Sequence, residues 1–183
     1  MTYYRAKSII KEEFPVHLGS IAIGITGGLL LNSRIESFIT IPLLLSYIPV
    51  INGIGGNVLS VFGSRLGSAI HMGSVNAVNS KELRRSTALF VIVAIAVFAI
   101  MALTLYATNP YFYGETVSMK IALIPVLAGF MLVGSLMPLT VVIAFLSFRL
   151  GMDPDNVVVP LITTIADFAG IVFLLLSMRL MGL

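Results

Sequence analysis

From Val157 to Met178 the chain runs for 22 residues whose only charge is Asp167. About 20 apolar residues cross the hydrocarbon core of a bilayer as one helix, because lipid offers the backbone no hydrogen-bond partner outside the helix itself. The run therefore predicts a membrane-spanning helix, and the remainder of the chain obeys the same rule. A composition of 58% hydrophobic and 10% charged residues, with a mean hydropathy of +1.05, excludes a soluble domain.

Charge and turn residues divide the 183 residues into five helices, expected at about 15–32, 37–65, 87–107, 121–148 and 156–178. The fold class is all-α integral membrane: residues 1–14 form a cytoplasmic N-terminal segment, and 15–183 one five-helix transmembrane domain. Arg5, Lys7 and Lys11 precede the first apolar stretch as in a signal peptide, but no small-residue cleavage site follows, so the first helix is expected to be retained. Pro42 and Pro49 in the second helix, and Pro125 and Pro138 in the fourth, predict tilt, kinks or local breaks.

Arg5, Lys7, Lys11, Arg65, Lys81, Arg84, Arg85 and Arg149 fall on one side of the five spans, against Arg34, Lys120 and Arg179 on the other. The positive-inside rule puts the larger set in the cytoplasm, with the N-terminus inside, the C-terminus outside and the cell (plasma) membrane as the expected location. The net charge of +3 is thus a topology signal, and there is no nucleic-acid motif. With no cysteine, disulfides and thiolate metal sites are excluded.

A charge at mid-membrane costs roughly 2.5–3.5 kcal/mol on insertion scales, and such a residue commonly marks an ion or proton path. Asn156, Pro160, Thr163, Asp167 and Gly170 are spaced by four, three, four and three residues, which places them within roughly 80° of one helix face, with Thr164 beside them. The basic residues all sit near span ends, so Asp167 has no obvious neutralising partner at its depth. The competing reading is a structural hydrogen bond to a neighbouring helix.

Pro49 to Asn57 reads PVINGIGGN. Gly53, Gly55 and Gly56 remove side chains where a backbone needs to approach another helix or expose carbonyls, and Asn52 and Asn57 supply amide oxygens. Two readings follow: a broken, cavity-lining helix, or a packing stripe of Gly56, Ser60, Gly63, Ser64 and Gly67.

The strings PVINGIGGN and GSRLGSAIHMG, followed near the C-terminus by MDPDNVVVPLITTIADFAG, resemble the MgtE-type magnesium channels and their relatives, the eukaryotic solute-carrier magnesium transporters, whose second repeat is closest in pattern. The resemblance covers roughly Pro15 to Leu180. It implies a homodimer of five-helix chains with the ion path between two equivalent halves, Mg2+ as the transported ion, and no resident cofactor. It matches Asp167 to the acidic pore residue, Asn57 to the asparagine of the glycine-rich pore helix, and Pro160, Thr163 and Thr164 to the motif before the acid. Bacterial members continue the glycine–glycine–asparagine run with small polar residues including a glutamine, where this chain has Val58, Leu59, Ser60 and Val61. The large cytoplasmic magnesium-sensing domains of bacterial members are expected to have no counterpart in the N-terminal segment. The eukaryotic carriers join two such repeats in one chain, so a homodimer in the lipid bilayer completes the single repeat.

Magnesium suits this lining, since it prefers oxygen ligands and sheds water reluctantly. Asp167, Asn57, Asn52, Thr163 and Thr164 are the candidate metal contacts, with Gly53, Gly55, Gly56 and Pro160 shaping the path. Two facing Asp167 carboxylates repel, so protons should compete with the metal. Asp153 and Asp155 either cap the last helix or recruit cations to the inner mouth. Glu36 and Glu115 read as solvated carboxylates on the outer side, and His17 and His71 lie too far apart in sequence to suggest a metal pair. An enzyme is not expected: Asp155 and Asp167 are separated by about 18 Å along a continuous helix, and no nucleophile, zinc or phosphate-binding motif is present. The alternatives to a magnesium pore are a cation carrier coupled to sodium or protons, and a non-transporting membrane subunit.

Overall fold

A computed structural model describes residues 6–39, 42–75, 80–113 and 118–183. Arg5 and Glu115 lie outside the described residues. The chain forms α1 (Ala6–Ser33), α2 (Ile35–Ile39), α3 (Leu43–His71), α4 (Lys81–Tyr113), α5 (Met119–Arg149) and α6 (Pro154–Leu180). All but α2 contain a stretch long and apolar enough to cross a membrane, so the expected five spans are present and the protein is an integral membrane protein.

Two differences from the expected boundaries have simple causes. The helices run past their apolar stretches at several ends, because polar residues continue a helix once its first turns are fixed. The stretch expected as one helix from 37 is instead the short α2 followed by α3, which begins beside Pro42. Of the two readings of PVINGIGGN, the broken helix does not occur, for α3 is continuous through Pro49 and all three glycines. The same holds in α5 for Pro125 and Pro138. Packing against neighbouring helices offsets a missing backbone donor in such spans.

The turn between α5 and α6 is well specified. Asp153 caps α6 by accepting a hydrogen bond at Oδ1 from the Asp155 N–H at 3.0 Å, and Pro154 occupies the first turn, where no backbone donor is needed. Upstream, α5 stops at Gly151, whose φ of +74° is open to glycine at little cost; Met152 N–H then donates to the Ser147 carbonyl at 3.0 Å.

At the centre of the bundle α6 packs on α1, α3 and α5, while α4 leans on α5 and, less extensively, on α3. Added side chains at Gly56, Gly63 and Gly67 of α3 would meet Thr163, Val158 and Pro154 of α6 in turn, so the two helices run antiparallel. A side chain at Gly27 of α1 would meet Phe168 at 3.5 Å, and Leu30 and Arg34 share a cleft with Leu175 and Arg179, so α1 and α6 run parallel. The core lies where α3, α5 and α6 meet, around Leu59, Leu132, Ile162 and Leu174, all fully buried. Long apolar side chains such as Leu29, Ile92, Leu103 and Phe130 point outward, as lipid-facing positions require.

Candidate cation site

Asp167 stands thirteen residues after Pro154 and thirteen before Leu180, at the midpoint of α6. About 20 Å of helix separates it from either end, so it lies as deep in the membrane as this helix permits. Around the axis it is about 60° from Gly170, which faces α3, and about 100° from Phe168, which packs on α1. Asp167 is nonetheless exposed on the single chain. No ion pair to it is found among the described residues. Arg65, expected at a span end, sits within α3, six residues before its last residue, but at the level of the first turns of α6, far along the axis from Asp167.

The backbone under Asp167 is held from α3. Asn52 Nδ2 donates to the Asp167 carbonyl oxygen at 3.0 Å, joining residues 115 positions apart. That bond fixes the amide orientation, since a carbonyl can only accept. Asn52 Oδ1 is consequently turned toward Gly170, where any Cβ would collide with it. This oxygen is buried and has no hydrogen-bond partner among the described residues. Gly170 is thus a notch for the Asn52 amide, a role its place in the polar stripe did not reveal.

Thr163 and Thr164 spend their hydroxyl protons on their own helix. Thr163 Oγ1 donates to the Val159 and Pro160 carbonyls at 3.0 and 3.1 Å, and Thr164 Oγ1 donates to the Pro160 carbonyl at 2.9 Å. What remains at each oxygen is lone-pair density, which suits a cation or its water. Pro160 itself is half-buried, one turn before them.

The three glycines of PVINGIGGN separate by direction. Gly56 faces Thr163 and Ala166 of α6 at 3.8 and 3.9 Å, Gly55 faces Leu132 of α5, and Gly53 faces open space. Asn57 is also exposed, with its carbonyl accepting from Ser60 Oγ at 3.1 Å. Gly53, Asn57, Ser60 and Ser64 form a small, polar edge of α3 at helical spacing, beside the side that contacts α6. Of the expected packing stripe, Gly56, Gly63 and Gly67 are buried against α6, while Ser60 and Ser64 lie on its flank.

Asp153 and Asp155 belong to the far end of α6. Asp153 is the helix cap, and its Oδ1 lies 3.7 Å from His71 Nε2. Asp155 is exposed in the first turn, with Oδ1 3.2 Å from where a Cβ on Gly67 would stand. His17 is exposed in α1, and Glu36 is exposed in α2. Among the described residues no group of three or more His, Cys, Asp or Glu side chains is placed to hold a metal.

Residues 48–177, which carry α3 to α6 and hence both sides of this seam, match the family model described as MgtE, divalent cation transporter. The chain belongs to the MgtE family. It is 31% identical to Solute carrier family 41 member 3 of Rattus norvegicus over 174 residues, covering 86% of this chain and 37% of that protein. Solute carrier family 41 member 2 of Mus musculus is 25% identical over 198 aligned positions, covering 97% of this chain and 33% of its own length. The chain spans about a third of the length of these relatives. The family is one of transporters, and the MgtE match includes Asn52, Asn57 and every polar residue of the α6 stripe from Pro160 to Gly170.

Proposed function

We propose that this protein carries Mg2+ across the membrane through a path between two copies of the chain, centred on Asp167. The observation that carries the reading is the exposure of this carboxylate at the midpoint of α6, on a single chain, beside the polar edge of α3. A carboxylate and a row of hydroxyl and amide groups facing lipid cost several kcal/mol. A second copy related by a two-fold axis covers that face with the same face, bringing two carboxylates and two sets of lone pairs around one aqueous path.

In this arrangement the pair of Asp167 carboxylates supplies the attraction. The Thr163 and Thr164 oxygens and the Asn57 amide touch the water shell of the ion. One carboxylate per chain suits a largely hydrated Mg2+, which gives up its water reluctantly. Asn52 acts on Asp167 through the backbone, by tying its carbonyl to α3. Protons compete for the same carboxylates, so flux falls as pH is lowered. The N-terminus is cytoplasmic and the C-terminus outside, in the plasma membrane, a reading that rests on the excess of Lys and Arg on the N-terminal side.

The test is uptake of Mg2+ into proteoliposomes of the purified protein, with an entrapped indicator and without sodium or pH gradients. Uptake driven by the Mg2+ gradient alone is the expected result. A strict requirement for a sodium or proton gradient would replace the pore with a coupled carrier, and no uptake under any gradient would overturn transport by this chain alone. The absence of cysteine allows the dimer to be tested separately. A single Asn57→Cys substitution is expected to cross-link two copies in membranes, whereas lipid-facing Leu103→Cys is not.

A further inference from the structure

The cleft shared by Leu30, Arg34, Leu175 and Arg179, of about 730 Å³, lies at the C-terminal ends of α1 and α6, with Ser37 of α2 in its lining. Arg34 and Arg179 both line it, together with Ser37, and Leu30, Val172 and Leu175 continue the wall toward the membrane interior. Arg34 follows the last residue of its span, Ser33, and Arg179 precedes the last residue of its own, Leu180. The two guanidinium groups therefore belong to the same membrane surface and come from helices far apart in sequence. Arg179 is twelve residues beyond Asp167, about 18 Å along α6, so this cleft is separate from the cation site.

We propose that this cleft binds one anionic phospholipid, its phosphodiester held by Arg34 and Arg179 and one acyl chain laid along the leucine wall. Two guanidinium groups bring two full positive charges to the lining; the helix C-termini, about half a negative charge each, and the terminal residue Leu183 also stand there, so the attraction for an anion is local to the guanidinium donors rather than a net charge of the cleft. No ion pair to either arginine is found among the described residues, and Glu36 is not part of the lining. Guanidinium matches phosphate oxygens with two parallel donors, and the Ser37 hydroxyl adds another. A soluble phosphate would have no use for the apolar wall, whereas a phospholipid presents charge and hydrocarbon in this order at this depth. A single basic residue at a span end is an ordinary topology signal. Two that line one cleft, from the end of α1 and from α6, beside a leucine wall, form a site.

Native mass spectrometry of the full chain, released from detergent in the presence of dioleoyl phosphatidylglycerol or dioleoyl phosphatidylcholine, tests this. Preferential retention of phosphatidylglycerol is expected, with a loss of at least about tenfold in R34Q/R179Q, since the charged donors are removed. The matched control R84Q/R85Q, at the start of α4, should keep the lipid. Equal retention of the two lipids by the wild-type protein would overturn the proposal without any variant. Equal loss in the control would also overturn it by reducing the effect to general charge, as would full displacement of the lipid by millimolar inorganic phosphate. A change of oligomeric state in R34Q/R179Q with lipid retention intact would assign the cleft to a second copy instead.

Discussion

The α3–α6 and α4–α5 contacts both use glycine, and they use it for different ends. On α5, Gly129 lies beneath the ring of Phe98 from α4, which is only 2% exposed; a Cβ there would enter the ring. The neighbouring cavity, about 380 Å³, is walled by apolar residues such as Ala94, Ile95, Leu127 and Val133. On α6, Gly170 also admits a side chain, but the guest is the Asn52 amide, and the surroundings are a carboxylate, two hydroxyls and a second asparagine on the open edge. Glycine by itself therefore does not set the two contacts apart. The chemistry around it does: one pair of helices only packs, whereas the other packs and leaves the Asp167 carboxylate and the Asn57 amide exposed.

If this contrast is right, damage to the two contacts should separate stability from flux. The largest loss of stability is expected for Gly129→Val, which forces Phe98 from its place; thermal melting in detergent should show about 1–3 kcal/mol of destabilisation from overpacking. Flux per folded molecule should survive. Gly170→Ala displaces the Asn52 amide, and Asn52→Ala removes it; each should cost about 1 kcal/mol of stability for one lost hydrogen bond. Their signature lies in transport, where Mg2+ flux per folded molecule should fall about fivefold, a change of about 1 kcal/mol in the path. Equal flux in Gly170→Ala and Gly129→Val would erase the distinction between the two contacts. Smaller effects are expected at the cap of α6: Asp153→Ala should lose about 1 kcal/mol, and Asp153→Asn, which caps as well as aspartate, less than about 0.5 kcal/mol. A large fall in flux with Asp153→Asn, at unchanged melting temperature, would instead favour cation recruitment by its charge.

The spans were legible in the sequence because the hydrocarbon core imposes a length and a polarity on each of them. Asp167 was legible for the same reason, as a charge where charge is expensive. The continuity of α3 was not. A string with Pro49 and three glycines fits either a break or a packing stripe, and only the fold separates them: α3 is continuous, with Gly55 against Leu132, Gly56 against Thr163 and Gly53 facing open space. Asn52 was legible as a polar residue of interest, but its bond to the Asp167 carbonyl depends on the antiparallel pairing of two helices 115 residues apart. That Arg34 and Arg179 line one cleft was hidden for a like reason, since span-end arginines carry no sign of which helices are neighbours.

The central claim is that the Asp167 carboxylate holds the cation. Mg2+ uptake should be compared in proteoliposomes containing equal amounts of folded wild-type protein or Asp167→Asn, a substitution that keeps the shape and removes the charge. Wild-type uptake is expected, with at least a tenfold loss in the variant, corresponding to about 1.4 kcal/mol or more. Uptake by the variant equal to that of the wild type would contradict a cation held by Asp167.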